Sequence, residues 1–266
     1  MANIEIGAEG GDVAKIQGRL PENIAGSLSP SVDVAALVFH FHTAFGGGVR
    51  WRLGRRGLEV ENSGVERTRG APTTVKRVWD EFGGSIERWA GRYRVPAELI
   101  LPTICTESGG RSDRVRLEPG YVSDDRTPGK VSPGLMQTLI STASWMMENE
   151  NAGETIGRSW LLEPDNSIRA GAAYIAHQKE ATGFDPPKVA CAYNAGSVIK
   201  QTGAANRWKM RQYPIGTPEH ADRFVKWFND FFSLLDSEQI QASAGYFISR
   251  VFFGGGRNVP GTGHSP

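Results

Sequence analysis

The chain has 266 residues, 39% of them hydrophobic and 22% charged, with a formal net charge of +1. That length holds one large domain or two smaller ones and supplies enough apolar material for a buried core. Nearly cancelling charge excludes a global field for nucleic acid, and no apolar run is long enough to span a bilayer, which excludes stable membrane insertion. The opening MANIEIGAEGGDV lacks a basic segment followed by an apolar one, so no secretory signal is expected and synthesis is assigned to a cytoplasm. Cys105 and Cys191 are too few for a disulfide framework or a zinc site. Each falls in an apolar helical run, as a buried free thiol or, if the two helices touch, as half of a single bridge.

In chain order, DVAKIQGRL comes first, with Val13, Ile16 and Leu20 on one stripe behind an Asp12 cap; SVDVAALVFHFH follows behind a Ser31 cap. Together, GGDVAKIQGRL and VAALVFHFH resemble the three-helix peptidoglycan-binding module, although His40 stands where that family usually carries Gln. The resemblance implies a small wall-binding module over 1–62; an unrelated helical pair is the other reading. VRWRLGRRG, Val49 to Gly57, is the densest basic stretch, with Trp51 among its arginines. It reads either as a solvated turn or as a contact for anionic wall polymer or membrane. ENSGVERTRGAP is polar and aperiodic, which predicts a linker over 63–72 between the first module and a second one over 73–238. The remainder, 239–266, ends in FFGGGRNVPGTGHSP and is expected to be a partly flexible extension.

The second module is predicted to be mainly α. TTVKRVWDEFGGSIERWAGRY spaces Val75, Val78, Trp79, Phe82, Ile86 and Trp89 on one helical face, with Gly83 and Gly84 as a point of interruption. VPAELILPTICTES starts a helix at Pro96 and carries Pro102 inside it, where a lost hydrogen bond predicts a kink. LMQTLISTASWMM reads as a helix opened by Gly134, with Met136 and Gln137 in its first turn. Helices are also predicted in SIRAGAAYIAHQKEAT, in PKVACAYNAG, closed by Gly196, and in the aromatic-faced PEHADRFVKWFNDFFSLL.

Glu107, in ICTESGG, ends an apolar helix, where the dipole favours a cation rather than a carboxylate. It shares a face with Ile100 and Ile104, so its carboxyl leans on apolar surface. Desolvation and the dipole both favour its protonated form, the profile of a general acid for glycoside cleavage. Gly109 and Gly110 leave space beside it. GLMQ and AYNAG bring polar groups next to small residues, a combination suited to sugar hydroxyls and acetamido groups.

ES, GLMQ and AYNAG in that order, with DNSIRAGAAYIA before the last, resemble the lytic transglycosylase domain shared by soluble lytic transglycosylases and goose-type lysozymes. The resemblance covers roughly Thr73 to Leu235 and implies a lysozyme-like helical catalytic fold acting on peptidoglycan glycan strands, as a monomer. It assigns Glu107 as acid/base and Ser108, Met136, Gln137, Tyr193 and Asn194 as substrate-binding residues; a core role for Met136 and a local capping role for Ser108 are the bland readings. EHADRFV is similar to the family's E-T-R-x-Y-V segment but has Phe224 where Tyr is usual, and the connection from Glu107 to Gly134 is longer than usual.

The resemblance implies two outcomes. A lytic transglycosylase needs no second carboxylate and leaves a 1,6-anhydro end, whereas an inverting muramidase holds a water on a second acid. The long loop offers Asp113, Glu118, Asp124 and Asp125, either as that acid or as solvated surface. GLMQ and AYNAG favour the transglycosylase. The scattered histidines show no metal-ligand spacing, so neither metal nor cofactor is implied. The rival class is a wall-binding structural protein. Without a secretory signal, action on the wall implies release or injection, as an endolysin or a delivered effector.

Overall fold

The computed structural model describes residues 37, 40–148, 150, 154–240, 248 and 249. The helices proposed at Asp12–Leu20 and from Ser31, and with them the three-helix module, lie outside the described residues apart from Leu37 and the segment from His40. So does the tail beyond residue 249.

The described residues are mainly helical. The first long helix, α1 (Thr73–Tyr93), buries Val75, Val78, Phe82, Ile86, Ala90 and Tyr93 at spacings of three or four. It runs through Gly83 and Gly84 and ends at Arg94 in a left-handed conformation, whose N–H bonds the Ala90 carbonyl. Pro96 then opens α2 (Ala97–Glu107). Every residue of α2 from Ala97 to Thr106 is buried, so this helix is the axis of the molecule. The helical assignment continues through Pro102, whose missing N–H costs one backbone bond.

After α2, two short strands, β3 (Val115–Leu117) and β4 (Val131–Pro133), pair antiparallel and carry a loop between them. Then come α3 (Ile140–Met147), α4 (Arg158–Leu162), α5 (Pro164–His177), the single turn α6 (Lys179–Thr182), α7 (Pro186–Ala195) and α8 (Glu219–Asp236). The last of these packs along α2 and α7, with Phe224, Phe228, Phe231 and Phe232 fully buried.

The basic stretch is more than a solvated turn, although Arg55 and Arg56 do form an exposed turn at its tip. It forms a hairpin, β1 (Trp51–Gly54) with β2 (Gly57–Val60), in the register Trp51 to Val60 and Leu53 to Leu58. Strand pleating sends alternate side chains to opposite faces, so Trp51, Leu53, Leu58 and Val60 enter the core while the arginines stay outside. Arg50 and Arg52 pair with Glu61 and Glu59 across the hairpin. Asn229 of α8 pairs with β2 much as a neighbouring strand would: its Oδ1 accepts from the Leu58 N–H at 2.6 Å and its Nδ2 donates to the Leu58 carbonyl at 3.0 Å. The Trp51 indole donates to Asp185 at the start of α7, at 2.8 Å.

A domain boundary at residue 62 therefore cuts through one continuous core. The expected linker is stitched to that core as well: Glu66 makes a two-pronged contact with Arg207 at 2.7 and 2.7 Å, and Thr68 bonds Asp230. Ile248 and Ser249, in the expected extension, are buried against Glu98. Polarity misled the expectation here, because the charged residues of these segments are matched by acids or bases elsewhere in the fold.

A second difference lies at GLMQ. Gly134 and Gln137 both have positive φ, 82° and 49°, so this segment is a tight turn, and the helix begins only at Ile140. Gly134 cannot be replaced without conflict, since a Cβ there would lie 1.9 Å from the Leu161 carbonyl oxygen. Gly171 of α5 has a different constraint: an added Cβ would sit 2.3 Å from the Met136 sulfur. The turn thus rests directly on the α5 backbone.

Candidate active site

A cleft of about 240 Å³ opens where α2 ends, walled by the β3 strand, the GLMQ turn and the end of α7. Glu107, Arg116, Glu118, Gln137, Tyr193 and Asn194 all face it. Residues far apart in the chain, from ES, GLMQ and AYNAG, are thereby brought to one place.

Glu107 is the last residue of α2 and its side chain is only 10% exposed. Burial pushes its pKa from 4.5 up to about 7, against the opposing pull of Arg116, Arg223 and Arg114. The winning effect is desolvation, which penalises a carboxylate more than three partly solvated guanidinium groups can offset. The electron-rich end of α2 is served instead by Arg77, whose guanidinium donates to the Gly109 carbonyl at 2.7 Å and to that of Gly110 at 3.4 Å. Among the described residues, no hydrogen bond holds the Glu107 carboxyl. One basic side chain reaches it: His220 of α8, with Nε2 at 3.5 Å from Oε1.

Gln137 donates through Nε2 to the carbonyls of Gly134 and Arg114, at 2.8 and 3.0 Å. Its Oε1 is buried and unpartnered, an acceptor beside the cleft. The Tyr193 hydroxyl donates to the Met136 carbonyl at 2.9 Å and shares a 2.8 Å hydrogen bond with Thr138, so it braces the GLMQ turn while its ring lines the cleft. The Asn194 Oδ1 accepts from the Tyr213 N–H at 2.5 Å and holds Tyr213 on the same wall.

Two expected substrate residues do not line the cleft. The Met136 side chain is fully buried against Gly171 and serves the core. Ser108 caps local backbone, donating to the Ile104 carbonyl and accepting from the Gly110 N–H.

Of the four loop acids, Glu118 alone lines the cleft, where its carboxylate accepts from Arg116 at 2.6 Å. Asp124 is occupied by Arg158 and Tyr121, which hold the loop and its own pKa down. Asp113 and Asp125 are exposed away from the cleft. Phe224, at the position where the family usually has Tyr, is buried in the core.

Sequence reasoning missed His220, Thr138 and Tyr213. Their neighbourhood depends on how α8 and the segment after α7 fold back, which no local pattern announces. Cys105 and Cys191 are both buried free thiols. Among the described residues no group of three His, Cys, Asp or Glu side chains could hold a metal ion, and no helix is long and apolar enough to cross a membrane.

No curated protein matches the chain. Among solved structures, an inactive mutant of the lytic transglycosylase Slt from Pseudomonas aeruginosa is similar at 18% identity with a TM-score of 0.37; the match covers 66% of this chain and 25% of that one. The chain thus spans about a quarter of the length of that relative. The family described as the transglycosylase SLT domain matches residues 84–214 of the chain.

Proposed function

We propose that the protein is a peptidoglycan lytic transglycosylase that cleaves the β-1,4 bond between N-acetylmuramic acid and N-acetylglucosamine, with Glu107 as the general acid and base. The observation that carries this reading is a carboxyl buried at a helix end beside a polar cleft, its pKa pushed up to about 7 by burial. In the first step the Glu107 proton passes to the glycosidic oxygen as the bond from C1 of the muramic acid to that oxygen breaks, and C1 gains oxocarbenium character. In the second step the C6 hydroxyl of the same sugar attacks C1 and its proton returns to Glu107, closing a 1,6-anhydro ring. Gln137, Tyr193 and Asn194 form the walls against which the sugars are oriented.

Action takes place at the cell wall, by a monomer. A second reading has one observation in its favour. Glu118 lines the same cleft, and an inverting muramidase would use it to hold a water, with the two carboxyls roughly 6.5–9.5 Å apart.

Digestion of purified peptidoglycan followed by mass analysis separates the two readings. Anhydro ends, one water lighter than reducing ends, are expected; reducing ends would establish the muramidase. Wall binding without any cleavage would reduce the protein to a binding module. Glu107→Gln should be inactive, and if it lysed wall as fast as the parent the acid would have been misassigned.

A further inference from the structure

Glu107 sits in an unusual position for a buried carboxyl, with no hydrogen bond among the described residues and an imidazole as its basic neighbour. His220 is itself 4% exposed and does not line the cleft, so it meets Glu107 from behind. Its ring also makes a backbone hydrogen bond to Ala190 of α7. A neutral imidazole has one N–H to give. Spent on the Ala190 carbonyl, it leaves Nε2 as a bare acceptor facing Oε1 of Glu107.

We propose that His220 is a positioning residue for Glu107, a neutral acceptor that holds the protonated carboxyl in one rotamer and repels the carboxylate. This assignment rests on Glu107 being the acid of the proposed function. An acceptor facing a carboxyl acts on both halves of the reaction. Before cleavage it takes a hydrogen bond from the acid proton and keeps the side chain at the cleft wall until a glycosidic oxygen competes for that proton. After cleavage, a lone pair faces a carboxylate, which favours return of a proton to Glu107 from the attacking hydroxyl. The proton gained by Glu107 in the second step equals the one lost in the first, and His220 undergoes no net change.

The surroundings keep the ring uncharged. Arg223 on its own helix and Arg116 on β3 add to burial in pushing the His220 pKa down to about 3. Arg114, Arg116 and Arg223 also face Glu107, and the Tyr193 phenol on α7 is pushed up by burial and by Glu107 itself, so it stays neutral. Two buried groups that would form an ion pair elsewhere therefore meet here as an uncharged acid and an uncharged base. Had His220 been cationic, its attraction would have held Glu107 ionised and useless as a proton donor.

Two measurements test this. The first uses the unmodified protein: nitrogen-15 chemical shifts of His220 at pH 6 should report a neutral ring carrying its proton on Nδ1, and an imidazolium or a ring protonated on Nε2 would overturn the proposal. The second is the pH profile of wall lysis by His220→Gln, whose amide can donate to a carboxylate. Its alkaline limb should move toward acid by about one pH unit, with a fall in kcat and an unchanged KM. A uniform loss with the limb in place would mean a purely structural role, and an unchanged profile would mean none. If Glu107→Gln stays active the proposed function itself fails; if Glu107→Gln is dead while His220→Gln leaves the limb in place, only the role of His220 fails.

Discussion

Two glutamates stand at opposite ends of α2, and both have their pKa raised by burial. Glu98, in the first turn, faces the favourable end of the helix dipole and accepts from the backbone N–H groups of Ile248 and Ser249, at 3.1 and 2.8 Å. Glu107, in the last turn, has the dipole against it and no hydrogen bond among the described residues. One carboxyl is buried and held by two backbone N–H groups, and the other is buried with only an imidazole beside it. The comparison separates a carboxyl that ties the chain together from one left free beside a cleft, although the helix, residue type and burial are shared.

The sharpest way to break the comparison is Glu107→Gln. It should lower wall lysis by about 10²- to 10⁴-fold, the span of a lost general acid, measured as turbidity loss of purified wall. The same substitution should stabilise the protein at alkaline pH. Because the folded pKa of about 7 lies above the unfolded 4.5, the carboxyl imposes no penalty below the unfolded value. The penalty grows as pH rises through the folded one, to on the order of 3 kcal/mol. Urea midpoints should therefore favour Glu107→Gln over the parent at pH 8 and converge at pH 4; a gap that widened toward acid would refute the sign.

Glu98→Ala should behave in the opposite manner. It orphans the N–H groups of Ile248 and Ser249 and should cost about 1–3 kcal/mol in urea unfolding, while each folded molecule keeps its activity and its pH profile. A profile that shifted with Glu98 would show that the two ends are coupled. The smallest effect is expected from Arg223→Gln, which removes one of the charges opposing protonation of Glu107. Parent activity should fall as pH rises through about 7, and the variant's limb should lie a few tenths of a unit higher in the same assay (~0.3).

Much of the helical core was legible in the sequence because helix periodicity and burial report the same fact. Val75 to Tyr93 and the phenylalanines of α8 needed no partner to be recognised. Glu107 was legible for a related reason: its conflict with the helix dipole is a local property. The hairpin was not read as one, although Trp51 and Leu53 alternate with Arg50 and Arg52 in the strand period, because the arginines dominated the composition of the stretch. The GLMQ turn mimics a helix in sequence because apolar spacing runs on into α3, and only the left-handed backbone at Gly134 and Gln137 breaks the pattern. What a charged residue pairs with, as Glu66 with Arg207 or Glu118 with Arg116, was beyond reach, for those choices are made by tertiary contact alone.

The packing of Met136 on Gly171 gives the cleft a hidden adjustment. Met136 presents its carbonyl to the Tyr193 hydroxyl, and the Tyr193 ring forms one side of the groove. A single methyl group added at Gly171 would therefore travel through the methionine to the tyrosine and change the bore of the groove from its far side. The width of the groove is thus tuned by an empty space at Gly171, a residue that does not itself line it.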